Sequence, residues 1–252
     1  MYLTLEDITI YYEQYGNNNK TILILPGWGN TRETFHHIIN HFKKDYTIYI
    51  LDYPALGNSP IPSKTLTIYD YTELIIKFMN HLNLNNPIII AHSFGGRITT
   101  LLTGYYKIKI DKLILIDIAG IKPKKTLKKI IKEKTYKLLR IISKLLPKKK
   151  QKYIQQKLLN LFASSDYNAL PIQMKETFKN IVNEDLKKNF KNIQSEVLII
   201  WGELDNDTPL KDAYTINKLI KNSGLIVLKK ANHYSYLQNP ILINNIIYEF
   251  IK

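Results

Sequence analysis

Short runs of continuously apolar residues recur along this chain, and segments with helical spacing of apolar side chains separate them. A strand covered on both faces by helices needs an uninterrupted apolar run, whereas a strand with one wet face alternates. The pattern predicts a doubly wound α/β fold with a mostly parallel sheet, preceded by a strand pair at residues 2–15. The predicted strands cover 20–25, 46–52, 86–91, 112–118, 196–202 and 224–230, and the helices cover 32–45, 68–82, 94–106, 209–221 and 239–251.

The alternation stops between residues 120 and 195, where helical periodicity continues without a convincing strand. This break predicts a helical insertion at residues 121–191, set into a core made of residues 1–120 and 192–252. The insertion also concentrates charge, because it holds 20 Lys and Arg against 5 Asp and Glu, while the rest of the chain balances 16 against 16. A segment this basic favours contact with an acidic surface or an acidic substrate.

Composition excludes several classes of protein. The chain is 45% hydrophobic and 23% charged, which is typical of a folded globular protein. It contains no cysteine, so disulfide and thiolate chemistry are absent. The amino-terminal residues lack the pattern of a signal peptide, and no apolar run approaches the roughly 18 residues of a membrane span. We therefore expect a soluble cytoplasmic protein.

One serine, Ser93, lies in a setting that favours display of its hydroxyl. In the stretch PIIIAHSFGGRITT a buried strand ends just before Ser93 and a helix begins near Phe94. A turn this sharp brings the strand and helix backbones together, so the residues two before and two after the serine must be small. Ala91 and Gly95 meet this structural requirement of a nucleophile elbow, usually written G-x-S-x-G. Ser93 is the predicted nucleophile.

A serine nucleophile needs a histidine base. His233 follows the last predicted strand and precedes the last helix, which places it at the carboxyl edge of the sheet, where Ser93 also lies. The other five histidines fall in helical patterns or at the variable elbow position, and we interpret them as surface or packing residues: His36, His37, His41, His81 and His92.

The base in turn needs a carboxylate to orient it. WGELDNDTPL, at the end of the strand 196–202, offers Glu203, Asp205 and Asp207. Asp205 is the predicted acid because it occupies the aspartate of a G-x-x-D-x-x-x-P pattern, while Asp207 is predicted to cap the following helix. Asp117, at the end of another strand, is a weaker alternative. The order Ser, Asp, His is the one expected for this architecture.

Oxyanion stabilisation requires two inward-facing N–H groups. The loop LPGWGN follows the first long strand, and its glycines either turn N–H groups inward or simply form a turn. Beside the elbow, the first interpretation predicts the backbone N–H of Trp28 as one donor. The second would be the N–H of Phe94, at a helix amino terminus where the dipole favours negative charge.

Taken together, five stretches in order resemble the α/β-hydrolase superfamily over almost the whole chain: LPGWGN, DYPALGNS, AHSFGG, WGELDNDTP and ANHYSYLQNP. The resemblance implies Ser93, Asp205 and His233 as catalytic triad and a helical cap at residues 121–191. Two positions depart from the usual pattern, since Pro26 replaces a histidine before the oxyanion glycine and Ala91 replaces the first elbow glycine. A serine nucleophile argues against the branches that use aspartate, the epoxide hydrolases and haloalkane dehalogenases.

These features predict a serine hydrolase of the carboxylesterase type acting on a small acyl substrate, for which an anionic group would suit the basic cap. Carbon–carbon bond hydrolases of ring-fission products, thioesterases and iminopeptidases share such a triad and remain open. A catalytically silent binding protein is a further alternative. No cofactor, metal or nucleic-acid motif is present, and the sequence does not indicate the oligomeric state.

The insertion carries a second hypothesis. Residues 121–157 hold 15 Lys and Arg against a single acid, Glu133, and their apolar residues recur at helical spacing. Such a basic amphipathic helix either lies on anionic lipid, as in a membrane-surface lipid esterase, or presents a solvated lysine face while its apolar stripe covers the pocket. The apolar residues are Leu127, Ile130, Ile131, Leu138, Ile141, Ile142, Leu145 and Leu146.

Overall fold

A computed structural model describes residues 1–122, 127–162, 167 and 170–252 of the chain. The chain divides into two compact units, Met1–Lys122 with Asn183–Lys252, and Pro123–Val182. The role of the inserted segment as a cap stays a prediction.

A single eight-stranded sheet forms the centre of the larger unit, in the order β1-β2-β4-β3-β5-β6-β7-β8. The first two pairings, β1 with β2 and β2 with β4, are antiparallel, and all the others are parallel. The predicted doubly wound α/β fold is therefore confirmed. The strands are β1 (Tyr2–Leu5), β2 (Ile8–Tyr15), β3 (Thr21–Leu25), β4 (Thr47–Asp52), β5 (Ile88–His92), β6 (Lys112–Ile116), β7 (Glu196–Gly202) and β8 (Ser223–Leu228).

Helices connect the parallel strands, as the periodicity predicts. A 3-10 turn at Arg32–Phe35 leads into the first α-helix, and the 14 residues of α2 begin with a capping box in which Thr67 and Asp70 bond each other's backbone N–H. The helices of the larger unit are α1 (His36–Phe42), α2 (Ile68–His81), α3 (Phe94–Gly104), α7 (Lys187–Phe190), α8 (Leu210–Leu219), α9 (Ser235–Gln238) and α10 (Pro240–Ile251), and those of the insertion are α4 (Leu127–Ser143), α5 (Lys148–Phe162) and α6 (Met174–Asn183).

The apolar runs become the core of the larger unit. All five residues of β5 are buried, and isoleucines from its neighbours β3 and β6 surround them. On one side of the sheet α1 and α10 supply the covering side chains, while α2 and α3 pack against each other. Each buried Ile or Leu contributes about 1.5–3 kcal/mol to stability, so the core stabilises the central strands whose carboxyl ends carry the site loops.

The inserted segment leaves and rejoins the larger unit at neighbouring points. Leu186 donates its backbone N–H to the carbonyl oxygen of Gly120 at 2.9 Å. The N–H of Lys122 donates to the carboxylate of Asp185 at 3.3 Å. Within the insertion, α4 packs against α5.

Among the described residues, no helix combines the length and apolar content that crossing a bilayer requires.

Candidate active site

The turn between β5 and α3 displays Ser93 in a strained backbone conformation. Ser93 has φ 46° and ψ −107°, a combination that non-glycine residues rarely adopt. The turn is held from both sides, because Ser93 donates its N–H to Ile116 and Gly95 donates its N–H to Pro26. The strained serine therefore stands at the apex of a well-supported turn.

Close packing explains the small residues beside the serine. A Cβ added to Gly95 would lie 2.0 Å from the carbonyl oxygen of Leu25 in the neighbouring strand. Ala91 is fully buried between its strand neighbours Leu25 and Leu115, where its one methyl group is accommodated. The departure from glycine at this position thus leaves the elbow intact.

Three predicted site residues from separate loops form one chain of hydrogen bonds. His233 Nε2 lies 2.9 Å from Ser93 Oγ, and His233 Nδ1 lies 2.8 Å from Asp205 Oδ2. The Asp205 side chain is fully buried, and that of His233 is 11% exposed. The geometry allows His233 to take a proton from Ser93 while the carboxylate holds the ring in the required tautomer.

The electrostatics of Asp205 and His233 favour an ionised acid beside a basic histidine. Burial tends to raise the pKa of Asp205, but hydrogen bonds from His233 and from the side chain and N–H of Thr208 outweigh it and lower the pKa below its ordinary value. Burial tends to lower the pKa of His233, but the hydrogen bond and charge of Asp205 outweigh it and raise the pKa. Asp205 therefore stays ionised and makes His233 a stronger base.

Thr208 completes the surroundings of the carboxylate. Its hydroxyl donates to Asp205 Oδ2 at 2.6 Å, and its N–H donates to Oδ1 at 2.9 Å. Asp207 also donates its N–H to Oδ1 at 2.8 Å. The expectation that Asp207 caps the next helix is wrong, because α8 begins after Pro209 without a side-chain cap.

Asp117 occupies the neighbouring strand end but does not bond His233. Both ring nitrogens of His233 already have partners, and the Asp117 carboxylate accepts hydrogen bonds from the N–H of Gly202 at 2.7 Å and from the hydroxyl of Ser235 at 2.5 Å. Burial raises the pKa of Asp117 to about 7, against the opposing effect of these hydrogen bonds. Asp117 therefore links Gly202, at the end of β7 just before Asp205, to Ser235, just after His233.

His92 links the base loop to the loop after β3. The ring is buried, with Nε2 at 2.9 Å from the carbonyl oxygen of His233 and Nδ1 at 3.0 Å from Nδ2 of Asn30. These partners assign the proton to Nε2, because the carbonyl only accepts and the amide nitrogen only donates. Burial, reinforced by the charge of His233, lowers the pKa of His92 to about 3, so its ring is neutral.

The two predicted oxyanion donors belong to residues that lie side by side. The rings of Trp28 and Phe94 have centroids 5.2 Å apart in an edge-to-face arrangement. Phe94 is the first residue of α3, a position whose N–H has no acceptor within its helix. A Cβ on Gly27 would lie 2.7 Å from Nδ1 of His92, so a larger residue would not fit there.

Sequence reasoning missed the supporting residues, namely Thr208, His92, Asn30 and Ser235. A signal existed for Thr208, since an aspartate commonly accepts N–H bonds from residues two and three positions later. No local pattern indicates His92 or Asn30, because their contact joins residues 62 positions apart.

One group of potential metal ligands occurs among the described residues, and it consists of Asp205, Asp207 and His233. The hydrogen bond between His233 Nδ1 and Asp205 Oδ2 engages two of the atoms that would bind a cation. The arrangement is better suited to orienting a base than to holding an ion.

Comparisons with known proteins find similar hydrolases and esterases. The chain is 25% identical over 268 residues to the uncharacterized hydrolase YugF of Bacillus subtilis, covering 99% of this chain and 96% of the relative. It is 26% identical over 267 residues to the pimeloyl-[acyl-carrier protein] methyl ester esterase of Wigglesworthia glossinidia brevipalpis, covering 96% and 97%. Among solved structures, a hydrolase from Pseudomonas aeruginosa is similar with a TM-score of 0.77 at 16% identity, covering 100% of this chain and 97% of that one.

The protein-family model described as alpha/beta hydrolase fold matches residues 20–240 of the sequence. These residues include the elbow and the loops that carry Asp205 and His233. The match spans most of the chain and all the loops at the carboxyl edge of the sheet. The protein belongs to the α/β-hydrolase family.

Proposed function

We propose that this hydrolase cleaves carboxylic esters, with Ser93 as nucleophile, His233 as general base and Asp205 as orienting acid. One observation carries the proposal: the unbroken hydrogen-bond chain from Ser93 Oγ through both ring nitrogens of His233 to Asp205, at 2.9 and 2.8 Å. These distances are in the range expected of an activated nucleophile and its oriented base.

The reaction proceeds in two halves. Ser93 Oγ attacks the ester carbonyl carbon while His233 Nε2 accepts the hydroxyl proton, and the tetrahedral intermediate then expels the alcohol, which takes that proton from His233. A water molecule next attacks the acyl-enzyme, again losing a proton to His233. Collapse of the second intermediate releases the carboxylic acid and returns the proton to Ser93.

The developing oxyanion would be stabilised by the backbone N–H groups of Trp28 and Phe94. The position of Phe94 supports this role, because its N–H stands at the positive end of the helix α3. Removal of one such donor typically lowers kcat by a factor of about 10²–10³.

In this proposal residues 121–191 act as the cap that selects the acyl group.

Ester cleavage is favoured over the other reactions of the same machinery by the similarity to a methyl ester esterase, at 26% identity. Thioesters, aminoacyl amides and carbon–carbon bonds are attacked by similar triads, so the test must compare them. A panel of esters, thioesters and amides with matched acyl groups, together with a ring-fission product that tests carbon–carbon bond cleavage, should show the highest kcat/KM for esters. A higher kcat/KM for a thioester, an amide or the ring-fission product would contradict the proposed substrate class and would leave the proposed roles of Ser93, His233 and Asp205 in place.

Covalent labelling tests the nucleophile directly. A fluorophosphonate probe should label the wild-type protein at Ser93, and Ser93→Ala should abolish both labelling and ester hydrolysis, because it removes the hydroxyl that His233 Nε2 would deprotonate. Ser63→Ala, which changes an exposed loop serine, is the matched control and should keep both. Persistent labelling of Ser93→Ala would contradict the assignment, and a wild-type protein that neither labels nor turns over would indicate a silent binding protein.

A further inference from the structure

Helix α4 presents a stripe of large apolar side chains to solvent. The α4 stripe consists of residues that are between half and almost fully exposed: Ile131 (63%), Leu138 (59%), Ile141 (62%), Ile142 (49%) and Leu145 (86%). Their spacing of three, four and seven residues places them on one face of the helix. Hydrogen bonds from Lys144 to Ile141 and from Leu145 to Ile142 continue this face one turn past the helix end.

The stripe lies on the side of α4 that faces away from α5. The opposite side carries Ser143, which is buried and accepts a hydrogen bond from Gln155 of α5 at 3.3 Å. Its neighbour on that side is Tyr136, which is half-buried, and α5 contributes the buried Leu158. A contiguous exposed apolar face of this kind is unusual in a soluble protein and marks an interaction surface.

The charge around the stripe is strongly positive. The unit Pro123–Val182 holds 16 Lys and Arg against 3 Asp and Glu, so it carries +13 of the chain's +15. Lys134 falls between Ile131 and Leu138 on the same face, and Lys137 and Lys144 flank it, all three exposed. The side chains of Leu127, Ile130 and Glu133 lie outside the described residues.

We propose that the α4 stripe docks on an anionic lipid surface, with the helix lying in the plane of the interface. The apolar side chains would enter the acyl boundary, and the neighbouring lysines would reach the headgroups with their ammonium groups. Such a surface offers both an apolar layer for the stripe and negative charge for the lysines. A nucleic acid would leave the apolar stripe wet, and a second copy of this chain would bring two units of +13 together.

Docking uses no residue of the proposed catalytic machinery. Vesicle binding can therefore be measured on Ser93→Ala protein, which does not degrade lipid if Ser93 is the nucleophile. A failure of lipid docking would leave the proposed esterase reaction untouched, and a failure of that reaction would leave docking untouched.

The experiment is flotation of Ser93→Ala protein with large unilamellar vesicles. Vesicles of phosphatidylcholine with about 30% phosphatidylglycerol should carry the protein upward, and pure phosphatidylcholine vesicles should bind it at least ~10-fold more weakly. Binding should fall several-fold as salt is raised, because screening weakens the attraction of exposed charges.

Two pairs of variants separate the apolar and charged contributions. Leu138→Gln/Ile142→Gln should lower the partition coefficient about 10-fold or more by the loss of two apolar anchors, whereas Ile241→Gln/Leu242→Gln, on the exposed side of α10, should leave it unchanged. Lys134→Gln/Lys137→Gln should lower binding to anionic vesicles about 5–30-fold, whereas Lys218→Gln/Lys221→Gln, two exposed lysines with the same spacing, should not.

Three results would overturn the proposal. The first is equal binding to neutral and anionic vesicles, or binding to neither. The second is an equal loss in a control pair. The third is a concentration-dependent dimer that Leu138→Gln/Ile142→Gln dissolves while vesicle binding is absent, which would make a second copy the occupant of the stripe.

Discussion

In the proposed reaction, the hydrogen bond between Asp205 and His233 would set the pH range in which His233 can act as a base. Because the pKa of His233 is raised, His233 is protonated and inactive as a base below that pKa and neutral above it. The acid limb of kcat/KM for a neutral ester should therefore lie above the ordinary histidine value of about 6.5.

Asp205→Asn should lower kcat by about 10³–10⁴ and move the acid limb to lower pH, because the charge that raises the pKa of His233 is lost. Asp207→Asn removes a neighbouring carboxylate that accepts nothing from His233 and should shift the limb only slightly. Steady-state kinetics across pH would measure both. A limb that stays in place in Asp205→Asn would contradict the role of Asp205.

His92 acts on the site through position rather than charge. Its neutral ring holds the His233 carbonyl and the Asn30 amide, so we predict that His92→Leu lowers kcat about 10–100-fold through misplacement of the base. KM and the acid limb should change little, since the ring of His233 keeps Asp205. His92→Gln has a side chain that can both donate and accept hydrogen bonds, so it should recover part of the rate. A higher KM and a lower stability without a specific fall in kcat would indicate a merely structural role for His92.

At the scale of elements, the crossing of β3 beneath α3 leaves no space beside Gly95. Gly95→Ala places a methyl group 2.0 Å from the carbonyl oxygen of Leu25, so the strand and helix must separate. We expect the free energy of unfolding to fall by about 3 kcal/mol or more, measured by urea denaturation. Gly224→Ala, where a Cβ meets nothing within 4 Å, is the control and should change stability by less than about 1 kcal/mol. Equal stabilities of the two variants would contradict the packing argument.

The elements themselves were predictable because each carries a strong local signal. Continuous apolar runs located every strand of the parallel part to within two or three residues, as in Glu196–Gly202, and the elbow followed from the small residues around Ser93. The outward direction of the α4 stripe was not predictable, because periodicity shows that a helix has an apolar face but not what that face meets. The contact of His92 with Asn30 likewise depends on how two strand ends come together.

At the scale of the whole molecule, the excess positive charge and the candidate active site belong to separate parts of the chain. The larger unit contains Ser93, Asp205 and His233 and bears a charge of only +2, because the unit Pro123–Val182 takes +13 of the +15. The strongly basic composition describes one segment and not the fold.

The neighbouring exit and return points of the inserted segment give the fold a modular character. Gly120 bonds Leu186 and Lys122 bonds Asp185, so the two chain ends are already side by side before any residue between them is considered. Closing a loop between such ends costs little more for a long segment than for a short one. The segment can therefore be lengthened, shortened or exchanged as a cassette during evolution. In its proposed role as a cap, it would let substrate range diverge while the sheet and its hydrogen-bonded serine, histidine and aspartate stay unchanged.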